Sequence, residues 1–114
     1  MAVKNTKTKQ YDVEYDTMCA LLRNPDFSKC LDANYIEEAI LSDGVEFRYV
    51  RKTNLLKRID DYGRNYFIKV NKKENGLTSV SISTQSRKVT VMIDTNWKKE
   101  VDKAFSFIDI LLRR

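Results

Sequence analysis

Trp97, Val101, Ala104, Phe105, Ile108, Leu111 and Leu112 recur at i, i+4, i+7, i+8, i+11, i+14 and i+15. That spacing draws one apolar stripe along a helix of about four or five turns. Lys98, Lys99, Glu100, Asp102 and Lys103 take the wet side, and Phe107 and Ile110 widen the apolar arc. Asp94, Thr95 or Asn96 can cap its start. A helix of this length draws most of its stability from packing the stripe against something else. The rest of the chain therefore has to supply an apolar face.

Most of what precedes the stripe runs in period two, the pattern of half-buried strands. Tyr11, Val13 and Tyr15 alternate with acidic residues and predict a strand over about residues 8–15. Val45, Phe47 and Tyr49 predict another, as do Tyr66, Ile68 and Val70. Asn75-Gly76 then marks a hairpin into Val80 and Ile82, whose alternate positions are Ser79, Ser81 and Ser83. A polar turn at 85–88 leads to Val89, Val91 and Ile93. Two stretches read as helix. Met18, Cys19, Leu21 and Leu22 follow Asp16 as an N-cap, and Pro25 stops this helix at Arg23 or Asn24. Asp32 then caps a second helix, with Tyr35, Ile36, Ala39 and Ile40 as its stripe, Glu37 and Glu38 in its first turns and Gly44 as its stop. Residues 53–61 fit one helical turn or an irregular strand. The expectation is an α+β domain over residues 9–114, after a flexible basic tail at 1–8. It holds an antiparallel sheet of about four to five strands, two short N-terminal helices and the long amphipathic C-terminal helix packed on the sheet.

A chain of 114 residues, 42% hydrophobic, has room for one such domain. Its net charge of +5 sits in the two ends: Lys4, Lys7 and Lys9 at the start, Arg113 and Arg114 at the finish. Between them the charge is segregated, −7 over residues 11–46 and +7 over residues 48–73. Such a split suits neighbouring elements whose solvated faces pair, or a basic patch for a polyanion. No apolar run is long enough to span a bilayer. The N-terminal residues lack the apolar stretch of a secretory signal, and Cys19 and Cys30 read as buried free thiols, a disulfide between them being the other reading. A cytoplasmic location is expected.

The sequence has no His, which removes the commonest general base and transition-metal ligand and every Ser-His or Cys-His nucleophile pair. Its three glycines are isolated at 44, 63 and 76, so no phosphate-cradling loop exists. Two distant cysteines without His give no ordinary zinc site. The adjacent carboxylates Glu37-Glu38 and Asp60-Asp61 do not face each other on a helix or a strand, so neither is a natural acid–base dyad. No catalytic residue, metal site or cofactor is expected, and the chain reads as a non-enzyme.

Tyr62-Gly63 before a strand, the hairpin run Asn75-Gly76-Leu77-Thr78-Ser79-Val80-Ser81-Ile82-Ser83, then Asp94 with Asn96 and the amphipathic ending give the second half a familiar layout. It resembles the helix-grip architecture of the START and birch-pollen-allergen-like superfamily, and small bacterial domains of the same layout. The resemblance covers roughly residues 62–112. It implies a curved antiparallel sheet gripping the last helix. Larger members bind apolar ligands between sheet and helix.

Three functions from different classes are compatible with these residues. A protein-interaction or accessory module, homodimeric or with another partner, would use Phe107 and Ile110 on the widened arc. A binder of a small apolar ligand would line its pocket with Phe47, Tyr49, Tyr66, Trp97 and Phe105, the same residues that would otherwise fill a solid core. A nucleic-acid or other polyanion binder would use Arg48, Arg51, Lys52, Lys57, Arg58 and Arg64, which interleave with aromatic residues able to stack on bases.

Overall fold

The structure, a computed structural model, describes residues 5–51, 63–73, 75–87 and 97–114. Along the chain run β1 (Thr6–Tyr11), α1 (Tyr15–Arg23), α2 (Pro25–Leu31), β2 (Asn34–Ile40), β3 (Gly44–Arg51), β4 (Arg64–Lys72), β5 (Thr78–Ser86) and α3 (Trp97–Leu112). The five strands form one sheet in the order β1-β5-β4-β3-β2, with every neighbouring pair antiparallel. The fold is α+β, as the two hydrophobic periods predict. The C-terminal helix packs on β5 and touches α2, while α1 lies against β4.

The alternation in the strands decides which face is covered. Val45, Phe47 and Tyr49 of β3, Tyr66, Ile68 and Val70 of β4, and Val80 and Ile82 of β5 are all buried. They meet Met18, Cys19 and Leu22 of α1, Phe27 and Leu31 of α2, and Val101, Ala104, Phe105 and Ile108 of α3 in a single core. Cys19 and Cys30 are free thiols, the first buried and the second half-buried. Ring packing ties strand to helix: Phe27 meets Tyr49 edge-on with centroids 5.4 Å apart, and the Tyr49 hydroxyl donates to the Leu22 carbonyl at 2.5 Å. The Asn75-Gly76 hairpin joins β4 to β5 as expected, and Gly76 adopts φ +81°, where a Cβ would be strained.

The N-terminal third differs from the expectation in several places. β1 begins at Thr6, so Thr6, Lys7 and Thr8 pair with β5 and do not belong to a tail. It ends at Tyr11, and Tyr15 opens α1. Glu14, not Asp16, occupies the N-cap position, and its side chain makes no capping bond. Pro25 ends α1 and also starts α2, where a missing N–H costs nothing. The Asn24 side chain accepts from the Asp26 N–H at 2.9 Å to cap this second helix. Gln85 and Ser86 continue β5 and are not a turn.

The largest correction concerns residues 34–40, read above as a helix. They form β2, the edge strand beside β3. Asp32 does not start a helix; it ends α2 in the left-handed conformation at φ 55°. Gly44 does not end a helix either. It opens β3, so close to β4 that a Cβ there would sit 1.9 Å from the Val70 carbonyl oxygen. The expectations for 53–61, for the strand at 89–93, for the Tyr62 part of Tyr62-Gly63 and for the α3 cap at Asp94, Thr95 or Asn96 lie outside the described residues.

Candidate interaction surface

β2 is exposed along nearly its whole length. Three of the four exposed large apolar side chains among the described residues belong to it: Tyr35 at 40%, Ile36 at 48% and Ile40 at 82%, with Ile110 of α3 the fourth. The pairing with β3 sorts its side chains. Tyr35, Glu38 and Ile40 stand opposite Tyr49, Phe47 and Val45, and so share the helix-bearing face. Asn34, Glu37 and Ala39 stand opposite Val50, Arg48 and Glu46, and share the other face. Ile36 falls where the register shifts between Tyr35 and Glu37, a bulge.

Glu38 anchors this flank to α1. Both of its carboxylate oxygens accept from the Arg23 guanidinium, each at 2.9 Å, and the Tyr35 hydroxyl donates to the same carboxylate. The Arg23 hydrogen bonds hold the Glu38 carboxyl below its ordinary range. Desolvation and the Glu38 carboxylate push the Tyr35 phenol up to about 12. Arg23 also lies over the Phe47 ring, 5.5 Å from its centroid. On the other face, Arg48 reaches Glu37 at 3.4 Å and stacks over Phe67 at 5.8 Å.

The backbone of the strand is phased by its turn. The Leu41 N–H donates to the Gly44 carbonyl at 2.9 Å. Hydrogen-bonded and non-hydrogen-bonded pairs alternate in an antiparallel ladder. Ala39 and Glu37 therefore direct their amides toward β3, and Glu38 and Ile40 direct theirs to the outer edge. Among the described residues no strand pairs with that edge.

The residues singled out in the sequence fall elsewhere. On α3, Ile110 is exposed, and Phe107, three residues before it, is half-buried against the core. Of the basic set, Lys52, Lys57 and Arg58 lie outside the described residues. The other three do not form one surface, because positions 48 and 51 of a strand face opposite ways. Arg48 is on the outer face. Arg51 is on the helix side, 4.0 Å from the Glu100 carboxylate. Arg64, across from Arg51 in the ladder, is 5% exposed and donates to the Thr84 hydroxyl.

Phe47, Tyr49, Tyr66 and Phe105 are buried in the core and Trp97 packs half-buried against it. The Tyr66 hydroxyl donates to Glu100 at 3.0 Å, and burial with that carboxylate nearby raises its pKa. An open groove of about 450 Å³ lies between β1 and α3, lined by Lys7, Lys9, Phe105, Asp102 and Asp109. Its charges are already paired, Lys7 with Asp102 at 2.8 Å and Lys9 with Asp109 at 3.4 Å. Among the described residues, no three His, Cys, Asp or Glu side chains cluster as metal ligands would, and no helix is long and apolar enough to cross a membrane.

The β2 surface was missed because its stripe fits a helix. Two signals could have found it: the β-branched and aromatic content of Asn34-Tyr35-Ile36, and Asp43-Gly44, which is the same hairpin signal as Asn75-Gly76. No family model matches the chain, and no curated protein matches its sequence.

Proposed function

We propose that this chain is a non-catalytic protein-interaction module whose partner docks on the β2 flank. The carrying observation is the concentration of exposed Tyr35, Ile36 and Ile40 on one edge strand. Apolar side chains gathered at one place on a surface gain from being covered, whereas scattered ones need no explanation. This reading favours β2 over the α3 arc, where Ile110 is the one large apolar side chain exposed among the described residues and Phe107 is half-buried against the core. The sheet with its C-terminal helix across β5 supports reading the domain as helix-grip-like, and two unbridged thiols support a reducing, cytoplasmic setting.

The test compares three immobilised chains for what they retain from a lysate of the source cells: the wild type, the Ile36→Glu/Ile40→Glu double variant, and Ile110→Glu. Circular dichroism first establishes that all three are folded. Partners held by the wild type and by Ile110→Glu, and lost from the double variant, are the expected result. Equal retention by all three rejects the β2 flank.

A further inference from the structure

The β2 flank is acidic as well as apolar. Residues 32–46 contain Asp32, Glu37, Glu38, Asp43 and Glu46 and no Lys or Arg. Asp32, Glu37 and Asp43 are exposed. A strand laid along the outer edge would meet two distinct rows. On the helix-bearing side it would pass the apolar Tyr35 and Ile40; on the other side, Glu37, whose exposed carboxylate is shared with Arg48 only at 3.4 Å and keeps lone pairs for a second cation. Glu38 is held by Arg23 and Tyr35 on the first side and is satisfied there. The outward amides of Glu38 and Ile40 supply the main-chain bonds that an added strand needs.

We propose that the outer edge of β2 takes up an extended segment of a partner protein in which Lys or Arg alternates with apolar residues, by strand addition. Alternation follows from the period of two: the basic residues face Glu37, and the apolar ones lie against Ile40 and the Glu38 stem on the helix-bearing side. The bulge at Ile36 confines regular pairing to Glu37–Ile40, so the docked core is short and its affinity modest. A second copy of this chain is the poorer occupant. Any antiparallel register of two β2 edges draws two acidic flanks together, and β1, the other edge, already commits Lys7 and Lys9 to Asp102 and Asp109. This inference rests on the interaction-module reading but fails separately from it: a partner that needs β2 yet carries no such segment overturns the inference alone.

A blocked heptapeptide of alternating lysine and valine serves as probe, with alternating glutamate and valine as control, titrated into the labelled full chain and followed by amide NMR. The expected result is saturable shifts at Glu38 and Ile40 with the basic peptide and none with the acidic one. Ile40→Pro removes an outward N–H without touching the β2–β3 ladder, and should weaken binding at least about tenfold. Ile40→Thr, which keeps the amide, should weaken it less. Glu37→Lys and added salt should each weaken it several-fold. No binding, shifts centred on α3 or β1, or indifference to Ile40→Pro overturns the proposal. So does a doubling of mass with shifts at the same amides, which makes a second copy the occupant.

Discussion

The two edges of the sheet are tied to the helices with opposite polarity. At β1 the strand supplies the cations: Lys7 and Lys9 reach Asp102 and Asp109 on α3. At β2 the strand supplies the anion: Glu38 receives the Arg23 fork from α1. Their apolar content differs more. Behind β1, Tyr11 and Phe105 are buried, and Lys9 lies 5.4 Å from both ring centroids. At β2, Tyr35 and Ile36 are about half exposed and Ile40 is almost wholly so. One edge is built into the core by the longest helix; the other is tied to α1 through Arg23–Glu38 and to β3 through Arg48–Glu37, and no described element covers its apolar side chains. A sheet needs every apolar face covered, and the uncovered edge is where a partner gains most.

Removing one apolar side chain from each edge should break this comparison most clearly. Phe105→Ala empties a buried site beside β1 and is expected to cost about 3–4 kcal/mol. Ile40→Ala removes a side chain that is 82% exposed, and should change stability by less than about 0.5 kcal/mol. Urea unfolding followed by tryptophan fluorescence measures both. Similar losses at the two sites would mean that β2 is covered in solution.

A smaller effect is expected at the turn that sets the β2 edge in place. Gly44→Ala drives a methyl group into the Val70 carbonyl, which is backbone and cannot swing aside. The β2–β3 hairpin has to shift from β4, at a cost of about 2–3 kcal/mol. Gly76→Ala, at the β4–β5 hairpin, meets open space and carries only the strain of its positive φ, about 1 kcal/mol. Thermal melts of the two variants should rank in that order. The reverse ranking would show that the close approach at Gly44 is absent.

How much of this was legible depended on what each residue was pressed against. The α3 stripe and the alternation in β3, β4 and the first half of β5 could be read because burial on one side filters the residues allowed there. β2 could not be read this way, since an exposed edge strand has no such filter. Its Tyr35, Ile36, Ala39 and Ile40 fit a helical stripe because the bulge at Ile36 breaks the alternation. Adjacent Glu37 and Glu38, suited to a first helical turn, serve opposite faces of the strand. The candidate surface was illegible for the same reason that makes it a candidate. The basic set of the middle third looked continuous along the chain, and only the pleat separates Arg48 from Arg51.

A third effect is a matter of pH and singles out the β2 anchor. The folded Glu38 carboxyl titrates below its unfolded value. Its stabilisation is therefore present above the unfolded pKa and lost as pH falls through the folded one. Glu38→Gln should flatten the loss of stability as pH falls through and below the ordinary carboxylate range, and Arg23→Ala should return the Glu38 carboxyl toward its ordinary value in a side-chain NMR titration. Identical acid limbs in wild type and Glu38→Gln would show that the Arg23 fork opens in solution.

The smallest effects are expected from the ion pairs at β1, and the order between them tests what closes that edge. Lys7 and Asp102 have side chains 39% and 60% exposed. Solvent screens such a pair, so Lys7→Gln should change stability by less than about 0.5 kcal/mol, with no dependence on salt that can be resolved. Lys9 differs because its chain covers rings: the ammonium sits near both Tyr11 and Phe105. Losing the stem exposes those faces, so Lys9→Ala should cost more than Lys9→Gln, and more than Lys7→Ala. If all three substitutions are equal, charge alone holds β1 and the two edges differ only in sign. If Lys9→Ala stands apart, the β1 edge is closed by apolar contact beneath a charged surface, which Ile36 and Ile40 of β2 lack among the described residues.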